Sequence, residues 1–178
     1  MDSNLHPHIL DCWFLTGATA SGKTSTSIQL ATALDAEIIS LDSMSIYRDM
    51  DIGTAKPTQA DQAAVPHHLL DLIPPTDTFS VSQYCDLAHQ QIDKLRAKRK
   101  AVLFVGGTPL YLKSLRRGIF EGPPADWEFR REIEHEIEAH GLDALRERLK
   151  LVDPLSAHKL HANDQRRMIR ALDVYRAP

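Results

Sequence analysis

The sequence has 178 residues, 43% of them apolar and 25% charged. That is enough chain for about one domain whose core needs no disulfide or structural metal, and it excludes disordered and fibrous classes. Its 21 basic and 24 acidic residues leave a net charge of −3, which excludes a wholly basic nucleic-acid binder but not a local basic patch.

The first element expected is a buried strand over Leu10–Thr16, a short apolar run that ends at a glycine. A turn rich in Gly, Ser and Thr follows, and then a helix from about Lys23 to Leu34 with Ile28, Ala31 and Leu34 on one stripe. Glu37–Leu41 reads as a second strand. Residues 42–63 are polar, broken by Gly53 and Pro57, and read as loop with a short helix. His67–Ile73 reads as a third strand closed by Pro74-Pro75. A helix over Val81–Arg99 repeats Tyr84, Ala88, Ile92 and Leu95 at helical spacing, with Ser80 or Thr78 as its cap. Ala101–Val105 is another buried strand, ending at Gly106-Gly107, and Leu110–Arg117 is helical.

Strand, glycine turn and helix in alternation predict an α/β fold built on a parallel sheet. Gly118–Asp126 is the expected boundary, giving an α/β core over 1–117 and a helical part over 118–178. That second part carries helices over Glu128–Ala139, Leu142–Leu151 and Gln165–Arg176. Cys12 and Cys85 match no metal or disulfide pattern and are expected as reduced thiols. No apolar run approaches the roughly 18 residues of a membrane span. Met1–Asp11 lacks a basic region followed by an apolar one, so a cytoplasmic protein with no membrane partner is expected.

The strongest chemical signal is Gly17-Ala18-Thr19-Ala20-Ser21-Gly22-Lys23-Thr24, which fits G-x-x-x-x-G-K-[ST] with a strand before it and a helix after. Glycines let backbone N–H groups wrap a diphosphate at a helix N-terminus. Lys23 adds a point charge, and the Thr24 hydroxyl can ligate Mg²⁺. Asp42 follows the second strand, where ligands of such sheets bind, and a carboxylate there can take a proton from a nucleophile. It could equally close a turn. Thr108 follows Gly106-Gly107 and could bond a ligand or cap the next helix. The segment 49–57, with its lysine, reads by itself as a solvated turn. Arg166, Arg167 and Arg170 share one helix, as a solvated face or as a grip on phosphates. The five basic residues in 94–100 suit a helix C-terminus, and His135 and His140 read as surface residues.

From the residues alone three readings stay open. One is a P-loop small-molecule kinase, with Asp42 as base. Another is a transferase that holds a diphosphate leaving group in the same loop. The third is a non-catalytic nucleotide-binding module.

Four segments in order separate these readings. They are GATASGKT at 17–24, EIISLDSMSIYRDMDIGTAKP at 37–57, VGGTPLYLKSL at 105–115 and HANDQRRMIRALDVY at 161–175. Together they resemble the tRNA dimethylallyltransferase family, also called tRNA isopentenyltransferase. PPAD at 123–126 followed by Arg130 is a fifth, weaker match. The resemblance implies a P-loop NTPase-like core with an all-helical insert. It implies transfer of a dimethylallyl group from dimethylallyl diphosphate to the exocyclic amine of an adenosine beside the tRNA anticodon.

The resemblance also assigns roles. Gly17 to Thr24 would hold the diphosphate, with Lys23 at its charge and Thr24 at Mg²⁺. Asp42 would accept the amine proton, and Asp42, Ser43, Met44 and Ser45 would line the base pocket. Thr108 and Arg130 would contact tRNA or the reacting groups. Arg166, Arg167, Met168, Ile169 and Arg170 would contact tRNA. The sequence departs from the family pattern with Ala18 for proline, Ser45 for glutamine and Pro109 for glycine. Ser45 is too short to repeat an amide's contacts to adenine. Family members continue well past residue 178, so a truncated monomer is expected, with the isolated chain's activity in question.

Overall fold

A computed structural model describes residues 6–119 and 122–177. The chain divides into two compact units, Met1–Ile119 and Phe120–Pro178. The expected boundary segment, 118–126, includes residues 120 and 121, which lie outside the described residues, as does the start of the N-terminal segment.

The first unit alternates strands and helices: β1 (Trp13–Thr16), α1 (Lys23–Leu34), β2 (Ala36–Ser40), α2 (Gln59–Ala64), β3 (His67–His68), α3 (Val81–Ala97), β4 (Ala101–Gly106) and α4 (Pro109–Arg117). All strand pairs are parallel, in the order β1-β4-β2-β3. The two central strands are the most buried, and every residue of β2 is inside. Burial on both faces is why β2 and β4 read as continuous apolar runs.

Strand alternation distributes their side chains. Ile38 and Leu103 face a cluster with Ala31 of α1, while Ile39, Val102 and Phe104 face the opposite cluster with α3. The predicted α3 stripe holds: Tyr84, Ala88, Ile92 and Leu95 are fully buried. Ser80 is its cap. The Ser80 hydroxyl accepts from the Gln83 N–H, and the Gln83 side chain accepts from the Ser80 N–H.

Two strand expectations are corrected. The segment 10–16 starts as a 3-10 turn over Ile9–Asp11, closed by the Cys12 N–H donating to Ile9 O. The strand begins only at Trp13, where β4 supplies a partner. The segment 67–73 keeps just His67 and His68 in the sheet. Leu69 and Asp71 take positive φ and turn the chain away, and Ile73 returns as a single bridge to Tyr47. Cys12 and Cys85 are free, and burial pushes both thiols up to about 11, away from reactivity.

The second unit is helical: α5 (Trp127–His140), α6 (Leu142–Val152), α7 (Pro154–Lys159) and α8 (Gln165–Arg176). The short α7 was not expected from the sequence. Asp153 caps it by accepting from the Ser156 N–H, and Pro154 opens it. Phe129, Ile133, Leu145, Leu149, Met168, Ile169 and Leu172 build this unit's core. Among the described residues, no helix is long and apolar enough to cross a membrane.

Candidate functional site

Parallel strands place their carboxyl ends together, and the motifs follow those ends. Thr16 ends β1 and leads into the 17–22 loop. Ser40 ends β2 and leads to Asp42. Gly106 ends β4 and leads to Thr108.

The loop is held by its own lysine. Lys23 Nζ donates to Gly17 O at 2.9 Å and to Ala18 O at 2.6 Å. Gly22 takes φ +80°, which permits the turn into α1 and favours glycine there. The first N–H groups of α1 have no partner within the helix, as an anion site requires.

The other two strand ends are sewn to each other. Gly106 passes so close to the preceding turn that a Cβ on it would lie 2.3 Å from Leu41 O. The Thr108 N–H donates to Leu41 O at 3.1 Å, and the Thr108 hydroxyl accepts from the Ser43 N–H at 3.0 Å. Thr108 caps α4 with no side-chain bond; its hydroxyl supports the Asp42 turn instead. Asp42 Oδ1 accepts from the Met44 N–H at 2.9 Å, closing that turn from the inside.

Lys23, Thr24, Asp42 and Ser45 line one cleft of about 70 Å³, and Thr54, Ala55, Lys56 and Pro57 line it as well. A second cavity of about 310 Å³ lies between the 16–18 and 106–109 turns and includes Thr108. Thr24 stands in the first cleft without a carboxylate cluster beside it. Among the described residues, no group of three or more His, Cys, Asp or Glu could hold a metal ion alone. The oxygen-bearing side chains that line the cleft include Thr24 and Asp42.

Ser45 is a buried member of that cleft's lining. It is 3% exposed, and its hydroxyl donates to Asp42 O at 3.0 Å and sits 2.6 Å from the Ser40 hydroxyl. Its part is to hold the Asp42 turn. Ser43 is half-buried and Met44 is exposed.

In the second unit the expected RNA-contacting residues separate into two sets. Arg166 and Arg167 are exposed. Met168 and Ile169 are buried in the helical core, because they fall on the inward stripe of α8, so their side chains are corrected from RNA contacts to packing. Arg130 and Arg170 are engaged by Asp173, which sequence reading missed. Arg130 donates to Asp173 Oδ2 through Nε at 3.0 Å and Nη2 at 2.6 Å, and Arg170 Nη1 donates at 3.0 Å. Arg170 Nη2 also donates to Pro123 O. Burial alone would raise the Asp173 carboxyl. The bonds from Arg130, from the Asp126 N–H and from Arg170 outweigh it and hold the group below the usual carboxylate range.

Sequence reading also missed Lys56, whose side chain is 3% exposed rather than solvated. Its own segment carries no signal of this, because its partners lie elsewhere in the fold.

The IPP transferase family model matches residues 45–178. The tRNA dimethylallyltransferase of Rhodopirellula baltica is 50% identical over 175 residues, covering 94% of this chain and 52% of that protein. Among solved structures, the tRNA isopentenylpyrophosphate transferase of Bacillus halodurans is 41% identical with a TM-score of 0.61, covering 92% of this chain and 55% of that one. A eukaryotic dimethylallyltransferase acting on tRNA is 29% identical with a TM-score of 0.74, over 92% of this chain and 41% of that one. The chain spans about half the length of the curated relatives it matches.

Proposed function

We propose, from the premise that this chain belongs to the IPP transferase family, that it carries the diphosphate-binding and proton-accepting part of a tRNA dimethylallyltransferase. The observation that carries the reading is the cleft in which Lys23 and Thr24 of the P-loop stand with Asp42.

The reaction breaks the allylic C–O bond of dimethylallyl diphosphate and forms a C–N bond to the exocyclic amine of an adenosine in tRNA. The departing diphosphate takes the bonding electrons. Lys23 and the N-terminal N–H groups of α1 lie where that charge would collect. On binding a ligand, Lys23 would exchange its two loop carbonyls for phosphate oxygens. Mg²⁺ held by Thr24 and the diphosphate would supply further charge neutralisation.

An aryl amine is a weak nucleophile, and its proton must leave as the C–N bond forms. Asp42 is the acceptor for that proton. Its turn is fixed by the Met44 N–H, by Ser45 and by Thr108, so the carboxylate is held ready before the substrates arrive. The base would have to leave its stack to reach the cleft. Arg166 and Arg167 are the exposed cations of α8 suited to RNA phosphates.

The test is transfer of label from radiolabelled dimethylallyl diphosphate to unmodified tRNA, in the presence of Mg²⁺. Asp42→Ala should lower transfer by about 10² or more. Transfer at the parent's rate in that variant sinks the base assignment. Consumption of ATP with phosphorylation of a small alcohol would replace the whole reading.

A further inference from the structure

Lys56 is an enclosed cation of the first unit, its side chain 3% exposed, and the proposed transfer gives it no role. Its ammonium donates to Tyr47 O at 2.8 Å, to Asp51 Oδ1 at 2.7 Å and to Asp71 Oδ1 at 2.6 Å. Three donor hydrogens thus meet three acceptors, which satisfies the group completely. The acceptors come from different places: the end of the 45–47 turn, the exposed loop at 51, and the segment that follows β3.

The same two stretches are laced at other points. The Asp71 N–H donates to Ser45 O, the Leu72 N–H to Ile46 O, and the Arg48 side chain to Asp71 O and Leu72 O. Asp49, Ala55, Leu69 and Asp71 all take positive φ without being glycine. Conformations of that kind persist only where the surroundings hold them. Lys56 is at the centre of that hold, and residues 54–57 form the wall of the cleft that carries Lys23 and Asp42.

We propose that Lys56 is a positioning residue for the allylic diphosphate site. It acts through Asp51 and Asp71 to set the cleft wall formed by Thr54, Ala55 and Pro57, and it does not itself touch the diphosphate. The proposal rests on the transferase reading for its ligand. Burial by itself would lower the Lys56 pKa, but the bonds to Asp51 and Asp71 raise it above the ordinary lysine value, so the clamp stays charged.

The experiment compares the parent chain with Lys56→Met, Asp71→Asn and Lys56→Arg by two measurements. The first is amide hydrogen exchange over residues 45–57 and 69–73. The second is calorimetric binding of dimethylallyl diphosphate with Mg²⁺. A positioning role predicts exchange about tenfold faster in both segments for Lys56→Met and for Asp71→Asn. It also predicts a Kd raised about tenfold in each, partial rescue by Lys56→Arg, and little further loss in the Lys56→Met, Asp71→Asn double variant.

Three results would overturn it. Asp71→Asn, by releasing the ammonium, would leave binding unchanged or tighter if Lys56 contacts the diphosphate directly. Fewer competent sites with the parent's Kd would mean a merely structural role. Unchanged exchange in both segments would mean there is no clamp. Asp71→Asn carries the comparison if Lys56→Met does not fold. If the parent chain itself does not bind dimethylallyl diphosphate, the transferase reading of this chain fails and takes the ligand out of the proposal, while the exchange comparison still decides the clamp.

Discussion

The Thr108 hydroxyl accepts a hydrogen bond from the Ser43 N–H at 3.0 Å, across 65 positions of sequence. It ties the turn after β4 to the turn that presents Asp42. Thr108→Val keeps the shape and removes the acceptor, leaving the Ser43 N–H without its partner. The expected cost is about 1 kcal/mol of stability, with a larger fall in label transfer because the Asp42 turn loosens. Thr108→Ser should keep most of both. Thermal melts and the transfer assay on the two variants check this, and parental transfer by Thr108→Val would contradict it.

Gly106 allows the β4 turn to pass against the backbone of Leu41. A Cβ there would lie 2.3 Å from Leu41 O and 2.9 Å from Leu41 Cα. Backbone cannot move aside as a flexible side chain can, so Gly106→Ala should cost roughly 2 kcal/mol or more. Gly53→Ala is the control, since nothing lies within 4 Å of its added Cβ. Urea melts should separate the two clearly, and equal midpoints would show that the close approach relaxes freely.

Asp173 predicts the acid behaviour of the helical unit. Its folded pKa lies below the ordinary value, so the group stabilises the fold above its unfolded pKa of about 4. That contribution is lost as pH falls below about 4 toward the lower folded value. Asp173→Asn should lower stability at neutral pH and flatten the decline as pH falls below about 4. Asp173→Ala should cost on the order of 3 kcal/mol, because Arg130 and Arg170 lose their shared partner. Denaturant melts across pH measure both, and a parent-like acid slope in Asp173→Asn would refute the assignment.

The arginines should divide by role. Arg166 and Arg167 are exposed, so alanine at either should lower the salt dependence of tRNA binding by about one phosphate contact and leave the melting temperature near the parent's. Arg130→Ala and Arg170→Ala should lower the melting temperature as well, since both hold Asp173. Binding titrations at several salt concentrations, beside thermal melts, test the division. Loss of stability in Arg166→Ala with no change in salt slope would reverse it.

The sequence by itself determined what depends on neighbours a few residues apart. The P-loop spacing, the α3 stripe from Tyr84 to Leu95, a cap for it at Thr78 or Ser80 and the α8 span are local patterns, each set by backbone geometry over one or two turns. Tertiary structure decided the rest. Nothing near Lys56 announces that Asp71 will meet it, nor does anything near Arg130 point to Asp173, 43 positions on. β1 and β2 are successive in the chain, yet β4 lies between them, and that order is what brings Thr108 to Ser43. The same helical period that identified α8 turned Met168 and Ile169 inward, because a stripe fills a core only when other helices supply it. A side chain's spacing states which face it occupies, whereas its partner depends on which segment the fold brings against that face.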